Sequence, residues 1–129
     1  MTIKTLDHLV LTTGNLKECI HFYQDILGMR HEVSLSGQHA FYFGSQKLNI
    51  HTRPGEFQPA AQKPSPGTQD FCLIVEEDIG VVRDEINAEG WPLLTDIVDR
   101  TGARGKMKSI YMYDPDGNLV ELAQYCREM

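Results

Sequence analysis

The strongest constraint on this chain is that it repeats itself. Asp7-His8-Leu9-Val10-Leu11 and Gln69-Asp70-Phe71-Cys72-Leu73 stand 62 residues apart, and Gly28 and Gly90 share that offset. In each copy an alternating apolar strand leads into a helix that stops at the glycine. A chain of 129 residues built this way has room for two copies of one small unit and little else.

The first copy opens with a strand from Lys4 to Thr12, where Leu6, His8, Val10 and Thr12 share one face. Asn15 caps a helix, with Glu18 three residues on as in a capping box and Leu16, Ile20, Tyr23 and Leu27 at helical spacing. Strands follow at Arg30 to Ser34, His39 to Phe43 and Lys47 to Thr52. In the second copy a helix is capped near Asp78 and carries Ile79, Val82 and Ile86 on one face. Its later strands are expected at Pro92 to Val98, Lys108 to Tyr113 and Asn118 to Tyr125, with a polar basic loop, Asp99 to Lys106, after the first. The turn Asp114-Pro115-Asp116-Gly117 has type I chemistry. Residues 54 to 68 carry four prolines and no apolar period, and read as a linker.

The repeat predicts an α+β fold, two tandem β-α-β-β-β modules, residues 1–53 and 69–129, in a single domain. With 12 basic against 18 acidic residues the net charge is −6, so nothing electrostatic favours nucleic acid or an anionic membrane surface. A small molecule is the expected partner. The start of the chain lacks an apolar leader, and no run of apolar residues is long enough to span a bilayer, so the expected location is the cytoplasm. Cys19, Cys72 and Cys126 form no CxxC pair and read as reduced thiols.

The repeat also points to chemistry. If the copies pair about an approximate two-fold axis, equivalent positions face one cavity, and the first strands contribute His8 and Asp70. The last strand contributes Glu121, a carboxylate set among Leu119, Val120 and Leu122, which needs a cation if it faces inward. Its counterpart in the first copy is Asn49 or His51, two residues apart and on one face. Imidazole is the stronger ligand for a divalent transition metal, which favours His51.

Three segments carry a family resemblance. Asp7-His8-Leu9-Val10, the helix end Phe22-Tyr23-Gln24-Asp25-Ile26-Leu27-Gly28-Met29, and Asp114-Pro115-Asp116-Gly117-Asn118 leading to Val120-Glu121-Leu122 resemble the vicinal oxygen chelate superfamily. That family includes glyoxalase I, fosfomycin-modifying thiol transferases, methylmalonyl-CoA epimerase, extradiol dioxygenases and bleomycin-binding proteins. The resemblance spans both repeats and is nearest to small glyoxalase-domain or virulence-associated members. It implies that the two modules pair into a curved, half-barrel mixed sheet around a central cavity. It also implies one divalent metal (Mn, Fe, Ni, Co or Zn) held at His8, Asp70 and Glu121, with a fourth ligand at His51 or Asn49. Many members have histidine where Asp70 stands here, and a carboxylate shifts the site toward harder ions.

The reaction implied is that of a lyase or isomerase whose metal chelates adjacent substrate oxygens, Glu121 also moving the proton. A homodimer is implied too. The 15 residues from 54 to 68 let the site be closed within one chain or shared by two.

Arg100, Arg104, Lys106 and Lys108 lie in or beside the loop that feeds Ser109-Ile110-Tyr111. This resembles the basic segment that fosfomycin thiol transferases use against a phosphonate, so Arg104, Lys106, Lys108 and Tyr111 are the expected substrate contacts. A solvated basic loop is the plainer reading of the same residues. The alternatives to a lyase are therefore a thiol transferase on an anionic electrophile, an extradiol dioxygenase, and a metal-free drug-binding protein. His21, His31, His39 and Trp91 read as structural.

Overall fold

A computed structural model describes residues 1–127 and divides into two compact units, Met1–Thr68 and a second that begins at Gln69. Each is a four-stranded mixed sheet with its helix on one face, so the chain is α+β with two sheets of the same design. No helix among the described residues is long and apolar enough to cross a membrane.

The first unit runs β1 (His8–Thr12), α1 (Leu16–Ile20), a π-helical continuation (His21–Ile26), β2 (Arg30–Val33), β3 (His39–Phe43) and β4 (Gln46–His51), in sheet order β1-β4-β3-β2. Asn15 caps α1 by accepting from Glu18 N at 3.2 Å, as expected from the capping pair. The helix then widens, with Leu27 N donating to Phe22 O five residues back. Phe22 and Tyr23 are both fully buried there and pack with Phe41, Leu11, Leu48 and Ile50 to make the core. Gly28 ends the helix at φ +75, a left-handed conformation that favours glycine, and Gly90 ends the second helix at the same value.

The second unit repeats the design with β5 (Asp70–Ile74), α2 (Ile79–Ala88), β6 (Val98–Gly102), β7 (Gly105–Tyr113) and β8 (Leu119–Tyr125), in order β5-β8-β7-β6. Its core is Ile79, Val82 and Ile86 of α2 against Ile110, Met112, Val120 and Leu122. The Asp-Pro-Asp-Gly turn closes on itself, since Asp114 Oδ1 accepts from the backbone of Asp116 and Asn118. Asn118 Oδ1 then accepts from Gln69 N at 2.9 Å, which ties the start of β5 to the start of β8.

Two expectations are corrected. Residues 92 to 97 form no strand, and the basic stretch from Asp99 to Lys106 is no loop but most of the β6–β7 hairpin, with Arg100 opposite Met107 and Gly102 opposite Gly105. Its polar residues stay strand-like because each is paired across the ladder, which a reading of local composition does not register. The hairpin closes tightly: a Cβ on Gly102 would meet Met107 Sδ and Tyr125 Oη at 2.6 Å. The first strand is also shorter than expected, starting at His8.

Candidate functional site

Residues opposite one another on neighbouring strands share a face. In the first unit the face away from the helix carries His8, Val10 and Thr12 on β1, and Lys47, Asn49 and His51 opposite them on β4. In the second unit the same face carries Asp70 and Cys72 on β5, Glu121 on β8 opposite Cys72, and Ser109 and Tyr111 on β7. Among the described residues, no three His, Cys, Asp or Glu side chains of either unit gather into a metal-holding group.

The ladders select between the two counterparts of Glu121 that apolar pattern allows. Glu121 stands opposite Cys72, Asn49 stands opposite Val10, and Val10 and Cys72 correspond at the repeat offset. Asn49 is therefore the counterpart of Glu121, and His51 lies two residues beyond. A slip of two keeps the same face, so pattern alone does not separate the two positions. Asn49 is 7% exposed, and its Oδ1 is buried with no hydrogen-bond partner among the described residues. His51 is also buried, edge-on to Phe57 of the proline-rich segment at 5.4 Å.

His8 is half exposed, and its Nδ1 lies 2.8 Å from Asp7 Oδ1. A carboxylate accepts only, so Nδ1 is the donor of this contact, and in the neutral ring Nε2 is then the nitrogen with the lone pair, the arrangement found behind metal-binding imidazoles. Asp70 is exposed at the start of β5.

Glu121 is the most elaborated group. Ser109 Oγ donates to its Oε2 at 2.6 Å, and Cys72 and Tyr111 stand opposite Glu121 on the two neighbouring strands, where burial, joined by its negative charge, raises the pKa of both the thiol and the phenol. Cys72 is exposed as a residue, yet burial of the thiol itself, and then the negative charge of Glu121, push its pKa up to about 12. It is a proton donor there and no nucleophile. Burial raises the Tyr111 phenol above its ordinary value; Arg100 opposes that shift and Glu121 adds to it. Arg100 Nε donates to Tyr111 Oη at 2.9 Å, and Tyr111 stands opposite Glu121 on the ladder.

The other basic residues do not join them. Lys108 and Lys106 alternate with Ser109 and Met107 along β7 and so stand on its opposite face, where Lys108 Nζ contacts Asp99 at 2.7 Å. Arg104 lies over the Tyr125 ring at 4.6 Å, and its backbone N–H donates to Tyr125 Oη, holding the hairpin turn. Ser109 went unnoticed in the sequence, although the alternation Ser109, Tyr111, Tyr113 against Ile110 and Met112 marks it as sharing a face with Tyr111.

The imidazole nitrogen and unpartnered amide oxygen of the first unit, and the two carboxylates of the second, are each of the borderline-to-hard donor kind that suits divalent transition ions.

The chain belongs to the Glyoxalase/Bleomycin resistance protein/Dioxygenase superfamily, whose family model matches residues 5–122. It is 42% identical over 125 residues to virulence protein STM3117 of Salmonella typhimurium, across 97% of this chain and 87% of that protein. The crystal structure of STM3117 superposes with a TM-score of 0.95 over 98% of this chain and 100% of the other. Glyoxalase domain-containing protein RDO1 of Mycosarcoma maydis is 40% identical over 125 residues, 97% of this chain and 70% of RDO1. An integron cassette protein of V. cholerae is 38% identical, with a TM-score of 0.94 over 98% of each chain.

Proposed function

We propose that this protein is a metal-dependent enzyme of the glyoxalase kind, a lyase or isomerase for a small substrate with adjacent oxygens, assembled as a homodimer. The observation that carries the reading is Asn49 Oδ1, a buried acceptor without a partner at the position equivalent to Glu121. Leaving such an atom unpaired costs about 1–3 kcal/mol, a cost that folds retain where a ligand completes the site.

His8 through Nε2, Asp70 and Glu121 would hold one divalent ion, with Asn49 as the fourth donor and His51 as the alternative on the same face. When bound, the ion supplies Lewis-acid polarisation of the substrate's adjacent oxygens. Asp7 fixes the tautomer of His8. Ser109 holds the Glu121 carboxylate in place, with Cys72 and Tyr111 opposite it on the neighbouring strands, and Glu121 takes a proton from substrate carbon and returns it to the neighbouring one. Arg100 fixes the Tyr111 hydroxyl.

The test is elemental analysis of protein purified without chelator or nickel affinity, beside His8→Ala. Near-stoichiometric divalent metal that is lost in the variant supports the reading. A wild-type protein that carries none, and takes up neither Mn²⁺, Ni²⁺ nor Zn²⁺ on titration, overturns it. Light scattering should give a mass twice the 14.6 kDa of one chain.

A further inference from the structure

Beside His8 a single row of side chains crosses all four strands of the first sheet. Arg30 on β2 stands opposite Tyr42 on β3, Tyr42 opposite Lys47 on β4, and Lys47 opposite His8 on β1, all on one face. The guanidinium of Arg30 lies 4.9 Å from the Tyr42 ring centre and the Lys47 ammonium 5.8 Å from it, so one ring carries two cations. These residues line an open cleft of about 480 Å³ together with the β3–β4 turn, Gly44 and Ser45.

Two like charges gathered on one aromatic ring are unfavourable unless something neutralises them. The chain is acidic overall, yet it sets little against this pair. Glu32 meets Arg30 at Nε, 3.1 Å away, and a guanidinium has further N–H donors for a second acceptor. Lys47 contacts the Tyr42 ring and pairs with no carboxylate among the described residues. Asp7 also lines the cleft, with one carboxylate oxygen held by His8 Nδ1 at the His8 end of the row. What remains is a forked donor and a point charge on either side of a phenol ring, an arrangement suited to an oxyanion.

We infer that Arg30, Tyr42 and Lys47 form an anion-binding subsite that takes a carboxylate or phosphoryl group of the substrate. The basic residues singled out in the sequence for this task, Lys106 and Lys108, stand on the opposite face of the other sheet from Glu121, whereas Lys47 is the direct neighbour of His8. At about 4.8 Å per strand, the anion lies roughly 5–10 Å from His8. That the anion belongs to the substrate rests on the metal-enzyme reading; the anion site itself does not.

The experiment is a titration of the intact protein with inorganic phosphate, and separately with succinate, at constant ionic strength, followed through backbone amide NMR. Saturable shifts centred on Tyr42 to Lys47, with a Kd near millimolar, are expected. Arg30→Gln and Lys47→Gln should each raise that Kd about tenfold, while Lys47→Arg restores it and Lys108→Gln leaves it unchanged. Phosphate binding alone assigns a phosphoryl group, and succinate binding as well assigns a carboxylate. Shifts that fail to saturate, or a Kd unmoved by both glutamine variants, overturn the inference. Glu121→Ala, on the other sheet, should leave the Kd as it is, so metal loss in that variant reports on the enzyme reading separately.

Discussion

Ser109 Oγ, fully buried, donates a 2.6 Å hydrogen bond to Oε2 of Glu121 on the neighbouring strand. The bond orients the carboxylate proposed as both ligand and proton carrier. Ser109→Ala should weaken metal uptake about tenfold, the usual effect of losing a group that orients a ligand. Calorimetric titration with Mn²⁺ checks this, and affinity equal to wild type would remove Ser109 from the site. The stability loss should be about 2 kcal/mol, that of one hydrogen bond to a charged group.

Asn49→Leu separates a structural role from a functional one. The substitution is close to isosteric and removes an acceptor that nothing in the fold satisfies. Thermal stability should hold or rise by about 1 kcal/mol while metal affinity falls. A large loss of stability would show Asn49 to be a packing residue.

The turn beneath Glu121 is expected to be costly to disturb. Asn118 is 2% exposed; its Nδ2 donates to Asp114 Oδ2 at 2.7 Å and its Oδ1 accepts from Gln69 N. Asn118→Ala removes both bonds inside the protein and should cost about 2–4 kcal/mol, measured as a lower urea midpoint with an unchanged slope.

The imidazoles of His31 and His39 lie within 5° of parallel, with centroids 5.1 Å apart and Nε2 to Nδ1 at 2.8 Å. A contact that short between rings so spaced runs along the line of centroids, an in-plane bond carrying one proton. Burial first, and then the charge of His39, hold His31 below its ordinary 6.5. The unfolded chain therefore binds a proton that the folded chain refuses. Stability rises with pH in the window just below 6.5 and is lost as pH falls through it. His31→Phe, which keeps a ring against Phe41, should flatten that dependence in melting temperatures taken from about pH 5 to about pH 7.

The sequence by itself determined the repeat, most of the elements and the family, but not the β6–β7 hairpin, whose polar residues are strand only through their pairing. An apolar strand, a capped helix ending at a glycine that must take positive φ, and an Asp-Pro-Asp-Gly turn are local signals, and each copy carries them. It also picked out Glu121, His8 and Asp70 as residues of interest, because alternation along a strand says which side chains share a face. Only the tertiary structure decided register and face across strands. It put Asn49 and not His51 opposite Val10, turned Lys108 away from Glu121, brought Ser109 onto that carboxylate, and lined up Arg30, Tyr42, Lys47 and His8 in one row. Those four residues are spread over some forty positions of chain, and nothing local relates them. Pairing between strands is set by the packing of whole faces against a helix, so neighbours across a sheet are legible only once the sheet exists.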